Sequence, residues 1–167
     1  MAAATTISPG PDARFLVAHP AHVVALGFGI GLIRWAPGTF ATAATLPLYW
    51  ALATFMSPLA IALLALPLFL LGVWACDVTG RHLGIADHGG MVWDEIVAFL
   101  PLAALASASL ASLAIAFVLF RIFDIWKPFP IRQLERRVKG GFGVMIDDVV
   151  AAAYACVLFL AVRPWIP

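Results

Sequence analysis

Four apolar runs, residues 41–56, 58–76, 96–120 and 146–162, constrain the fold more than any other feature of the chain. A helix rises ~1.5 Å per residue and needs about 20 residues to cross the hydrocarbon core of a bilayer. The second and fourth runs meet that length, and the first meets it with its flanks. Only 11% of the residues are charged against 63% hydrophobic, and a mean hydropathy of +1.01 excludes a water-soluble globular domain of ordinary composition. Lipid offers no hydrogen bonds to a bare backbone, so such runs must be helices. The expected fold is all-α: an integral membrane helical bundle of about four to five spanning helices plus a short re-entrant or interfacial N-terminal helix. Residues 1–19 read as a disordered or flexible tail without the apolar core of a signal peptide, and residues 20–167 as one membrane-embedded domain.

The short helix is assigned to residues 22–33, which carry Gly27, Gly29 and Gly31 and lead into a tight turn at Pro37-Gly38-Thr39. Cys76 and Cys156 each lie inside an apolar run and read as small packing residues. The net charge of +1, with no basic stripe interleaved with aromatics, gives no sign of nucleic-acid binding.

Residues 96–120 pose the topological question. A single crossing separates the acids before the run from those after it, whereas a hairpin turning at the serine-rich segment 107–112 brings them together. The composition fits both, and the hairpin is preferred because converging carboxylates share a cation while scattered ones each lack a partner. Six of the ten basic residues fall between Arg121 and Lys139, which assigns that loop to the cytoplasm. With the hairpin, the loop 77–95 and the Pro-Gly-Thr turn lie on the same side.

Ionised carboxylates beside lipid are costly and need a cation, a basic partner or a substrate path. Here they form three groups: Asp87 with Asp94 and Glu95, then Asp124, then Asp147 and Asp148. Helix capping explains one acid at Asp94 but not two in succession. Adjacent Asp147 and Asp148 repel unless a cation neutralises them, and several hard oxygen donors suit Mg²⁺. Arg121, Asp124 and Lys127 are spaced by three along a helix end closed by Pro128 and Pro130. The plain reading is a salt-bridged interfacial helix end, and the functional one is a cationic seat for phosphate. Together these features describe a Mg²⁺-binding, phosphate-coordinating pocket at the bilayer face, for which a phosphorylated lipid is the natural substrate. No serine or cysteine nucleophile stands beside a basic partner, so hydrolysis by metal-activated water is the simplest chemistry, with a transient aspartyl-phosphate on Asp94, Asp124 or Asp147 as the other route.

Four blocks carry a family resemblance. They are Gly27-Phe28-Gly29-x-Gly31-Leu32 with Pro37-Gly38-Thr39, then Asp87-His88-Gly89-x-x-Val92-Trp93-Asp94-Glu95, then Phe120-Arg121-x-x-Asp124-x-Trp126-Lys127-Pro128-x-Pro130-Ile131-Arg132, and Gly140-Gly141-x-Gly143-x-Met145-Ile146-Asp147-Asp148. In that order, over nearly all of the chain after residue 19, they resemble the phosphatidylglycerophosphatase A family of bacterial membrane enzymes. The resemblance implies Mg²⁺-dependent removal of phosphate from phosphatidylglycerophosphate at the cytoplasmic face of the bacterial inner membrane, by a multi-pass protein. The family commonly follows the Pro-Gly-Thr turn with a glycine and a serine where this chain has Phe40-Ala41-Thr42, so a hydroxyl role there passes to Thr39 or Thr42.

Charge and position then assign Asp94, Glu95, Asp147 and Asp148 to the metal, Arg121, Lys127, Arg132 and Thr39 to phosphate, and Asp87, His88 and Asp124 to catalysis. The competing reading is a small ion- or proton-coupled transporter using the carboxylates as a relay. It expects acids at mid-membrane on broken helices and related halves, whereas these acids sit at helix ends and no internal repeat is present.

Overall fold

The computed structural model describes residues 10–106 and 109–166, and the described residues are helical with no strand. Two short helices, α1 (Ala13–Ala18) and α2 (Pro20–Ala25), lead through a 3₁₀ segment (Gly27–Leu32) to α3 (Pro37–Ala53). The longest helix, α4 (Pro58–Leu83), is followed by α5 (Trp93–Leu105), α6 (Leu110–Trp126), the short α7 (Ile131–Arg137) and α8 (Gly140–Val162), and a closing 3₁₀ turn spans Arg163–Trp165. Of the expected tail, residues 1–9 lie outside the described part, and Asp12 caps α1 by accepting the Phe15 N–H at 2.8 Å.

Helix α5 is the centre of the bundle. Its residues are buried from Trp93 to Ala104 with few interruptions, because α3, α4, α6 and α8 all pack around it. A helix apolar on every side has no face to give to water and takes the central place. Phe99, Leu100 and Leu102 on α5 meet Phe120 on α6 and Phe159 on α8 in one cluster, and Trp93 and Val97 meet Met145 on α8 in a second. Close approach of α4 to its neighbours depends on Gly72, where a Cβ would lie 2.5 Å from Met145 Sδ and 2.7 Å from Trp93 Cδ1.

Two segments, Pro58–Leu83 and Gly140–Trp165, are long and apolar enough to cross a membrane. Along α4 the stripe Leu59, Leu63, Leu66 and Leu70 stands exposed. In water each such leucine forgoes about 1.5–3 kcal/mol of burial, whereas lipid solvates it without that cost. The outer surface therefore suits a bilayer.

Helices α5 and α6 are antiparallel: Glu95 at the start of one lies 3.8 Å from Arg121 near the end of the other. The hairpin expected within 96–120 is thus formed. Residues 107 and 108 of its turn lie outside the described part, and Ser109 caps α6 by accepting the Ser112 N–H at 3.1 Å. Two local expectations differ. Pro37-Gly38-Thr39 is the first turn of α3, with proline at the position where its missing N–H costs nothing. The glycines at 140–143 likewise open α8, and Gly141 presses on the Val73 carbonyl of α4 where no side chain fits.

Candidate active site

All nine acidic side chains sit at one end of the bundle: at the C-terminal end of α4, the starts of α1, α5 and α8, the end of α6, and in the loop before α5 and in α7. Every basic residue except Arg163 shares that end. Asp94 and Glu95 occupy the first turn of α5, where the helix dipole favours negative charge. Val92 is the N-cap, so Asp94 does not cap the helix; its Oδ1 accepts the Glu95 N–H at 3.1 Å.

Opposite them, α8 brings Asp148. One carboxylate oxygen from each of Asp94, Glu95 and Asp148 lies within 4.8 Å of the others. Glu95 Oε2 and Asp148 Oδ2 are buried and, among the described residues, have no hydrogen-bond partner. Buried acceptors without donors are uncommon and costly, and oxygen donors converging in this way fit a hard divalent cation. Beside them Arg121 pairs with Asp124 at 2.5 Å and with Glu95 at 3.8 Å. Its Nε and NH1 are also buried without a well-aligned acceptor. Four carboxylates thus gather beside one guanidinium, and although Arg121 NH1 is held by Asp124, Glu95 Oε2, Asp148 Oδ2 and Arg121 Nε stay buried without hydrogen-bond partners among the described residues.

Asp147, expected with the metal ligands, is not in the group of three. Its Oδ2 accepts Lys127 Nζ at 2.7 Å. Lys127 is the left-handed C-cap of α6 and also reaches Glu135 Oε1 at 3.2 Å. Burial disfavours its ammonium, but Asp147 and Glu135 outweigh that and hold it charged, with its pKa raised above the ordinary lysine value. Glu135 is therefore a structural anion on α7.

The remaining sequence candidates ring this centre. His88 lies in the loop before α5, where its Nδ1 accepts the Gly90 N–H at 3.0 Å, and Asp87 beside it lines a cavity of about 300 Å³ with Glu135 and Lys139. Thr39 and Arg132 border an open groove of about 680 Å³ that also reaches Arg121, and Arg132 donates to the Trp126 carbonyl at 3.3 Å. Sequence reasoning missed Gly38. A Cβ there would overlap Glu95 Oε1 and approach Arg121 NH1 to 3.3 Å, so the bare backbone of α3 closes one side of the centre. The proline before it signals a helix start, but nothing local says what that start will face.

A sequence profile of phosphatidylglycerophosphatase A matches residues 23–163, which include every residue of this centre. No solved structure matches the chain. Among characterised sequences, phosphatidylglycerophosphatase A of Haemophilus influenzae is 42% identical over 156 residues, covering 93% of this chain and 96% of that protein. The protein of the same name from Escherichia coli K12 is 39% identical over 154 residues, covering 91% and 89%. With the profile spanning the bundle and both relatives aligned almost end to end, the chain belongs to the phosphatidylglycerophosphatase A family.

Proposed function

We propose that this protein is a lipid phosphatase that hydrolyses phosphatidylglycerophosphate to phosphatidylglycerol and inorganic phosphate, with Mg²⁺ as its cofactor. The observation that carries the reading is the pairing of unmet demands at the centre. Glu95 and Asp148 present buried oxygens in want of a cation, and Arg121 beside them, its NH1 held by Asp124, presents a buried Nε–H in want of an acceptor. A metal-bound phosphate monoester satisfies both. The names of the two relatives point to the same substrate class.

In this mechanism Asp94, Glu95 and Asp148 would hold the ion, which would supply Lewis-acid polarisation of the phosphoryl oxygens when bound. Arg121, braced by Asp124, donates to the same oxygens and stabilises charge as it builds in the transition state. Lys127, fixed by Asp147 and Glu135, adds positive potential, and Thr39 and Arg132 contact the headgroup from the α3–α6 side. Water attacks phosphorus as the ester P–O bond breaks. Asp87 takes the proton from water and passes it to the departing lipid alkoxide, while the His88 Nε2–H hydrogen-bonds that oxygen. Because His88 Nδ1 accepts the Gly90 N–H, the neutral ring carries its hydrogen on Nε2, the nitrogen free to donate.

The membrane arrangement belongs to the same proposal. Helices α3, α5 and α6 are embedded beside α4 and α8, giving five membrane helices. Exposed Leu48 and Trp50 on α3 and Val118 and Ile122 on α6 support this. The basic residues gathered at the acidic end favour the cytoplasm for the active site of this bacterial inner-membrane protein.

The test is phosphate release from phosphatidylglycerophosphate by the purified protein in detergent, with Mg²⁺ or with EDTA. Wild type should release phosphate only with Mg²⁺, and Asp94→Asn, Glu95→Gln and Asp148→Asn should each lower turnover by roughly 10²-fold while the fold persists. Absence of Mg²⁺-dependent release from wild type overturns the reading.

A further inference from the structure

Beneath the acidic centre an apolar groove of about 400 Å³ opens between α4, α5 and α8. Alanines keep it open: Ala62 and Ala65 on α4, Ala98 on α5, and Ala152 and Ala153 on α8. Its position follows from helical register. Val97 and Ala98 come three and four residues after Asp94, and Ala152 comes four after Asp148, so each lies one turn below an acid on the same helix face. Two walls of the groove are continuations of the faces that carry two of the three clustered carboxylates. The lining on α8 runs from Ile146 to Cys156, about 15 Å at ~1.5 Å per residue, which is the depth of one leaflet of a ~30 Å hydrocarbon core. No charged residue lines it.

We propose that this groove binds one acyl chain of the lipid whose phosphate reaches Asp94, Glu95 and Asp148. The inference rests on the lipid phosphatase reading and adds where the substrate's tail lies: between helices, on the α4–α5–α8 side. A second apolar cavity of similar volume, between α3, α4 and α5, is lined on α5 by Trp93, Ile96 and Leu100. Ile96 is only two residues from Asp94, so that cavity continues a different face of α5 and lacks a wall from α8.

Two measurements test the proposal. In the first, Ala153→Trp and Ala62→Trp partly fill the mouth of the groove at positions that are not fully buried, and Ala44→Leu narrows the α3-side cavity as the comparison. With oleoyl phosphatidylglycerophosphate the groove variants should raise KM about tenfold at unchanged kcat, leave hydrolysis of the hexanoyl analogue unaltered, and contrast with wild-type behaviour of Ala44→Leu. Equal losses on long and short chains, or no loss on either, overturn the proposal. In the second, wild-type protein with Mg²⁺ is irradiated with a non-hydrolysable phosphonate analogue of phosphatidylglycerophosphate bearing a diazirine near the end of one acyl chain. Labelling should fall within residues 62–69 and 146–156 and be competed by the unlabelled analogue but not by phosphatidylcholine. Labelling on α3, or groove labelling that both lipids compete equally, overturns it. Phosphate release with labelling elsewhere defeats the groove alone, whereas absence of Mg²⁺-dependent release defeats the phosphatase reading and the groove with it.

Discussion

At the scale of single residues, Gly38 and Asp147 separate shape from charge. Gly38 has no polar atom to offer beyond its backbone, yet the smallest side chain would displace the Glu95 carboxylate. Misplacing a reacting group by about 1 Å costs on the order of 10²-fold in rate. Gly38→Ala is therefore expected to lower kcat/KM for phosphatidylglycerophosphate by about that factor without loss of helicity by circular dichroism; wild-type kinetics would mean that Glu95 moves freely. Asp147 is a different case, since its partner is Lys127 and not the group of three. Removing one member of a largely buried pair strands the other charge. Asp147→Ala should destabilise the protein by about 2 kcal/mol in thermal unfolding, while the Mg²⁺ concentration giving half-maximal activity stays near that of wild type. Asp148→Asn should shift that concentration strongly. A reversed pattern would exchange the roles of the two neighbours.

Among elements, the N-terminal helices are tied to α4 by histidines that the sequence reading passed over. His22 on α2 donates from Nδ1 to the Phe15 carbonyl at 2.7 Å, which leaves Nε2 to accept from His82 Nδ1 at 2.8 Å. The Phe15 ring stacks on His22 at 3.9 Å, and His19 packs edge-on against His82. Burial, together with the nearby His82 and His19, holds the His22 pKa below the ordinary histidine value, despite the pull of the Phe15 carbonyl in the other direction. A histidine whose folded pKa is lowered contributes stability that is complete above its unfolded value and is lost as pH falls through the folded one. Hydrogen exchange at the amides of α1 and α2, corrected for intrinsic rate, should therefore accelerate on acidification across that window, and His22→Phe should flatten the dependence. A pH-independent rate in wild type would rule out the histidine tie. About two and a half turns back along α4 from His82, the Val73 carbonyl leaves no room for a Cβ on Gly141, so Gly141→Ala is expected to cost about 2 kcal/mol through overpacking, measured by thermal unfolding in detergent.

For the whole molecule, the polar end and the apolar girdle make a topological prediction. In a protein with Cys76 and Cys156 replaced by alanine, cysteines at Asp87 and Lys139 should react with a membrane-impermeant maleimide from one side only, and a cysteine at Trp165 from the other. Labelling of positions 87 and 139 from opposite faces would break the hairpin. Much of this was legible in the sequence. Run lengths and composition determined an all-helical, lipid-facing chain, because a backbone in hydrocarbon has few ways to satisfy its hydrogen bonds. The four motif blocks located the acids and bases, and the serine-rich segment marked where the hairpin turns. Which groups meet was not legible. Asp147 and Asp148 are neighbours in sequence and chemically identical, but successive residues of a helix point about 100° apart. One therefore faces Lys127 at the end of α6 and the other faces Asp94 and Glu95 at the start of α5. The sequence by itself determined where charge falls along an apolar, helical chain; only the antiparallel pairing of α5 with α6 gathered the carboxylates at one end of the bundle, and only the packing of α8 against both decided which of them converge and which neutralises a lysine.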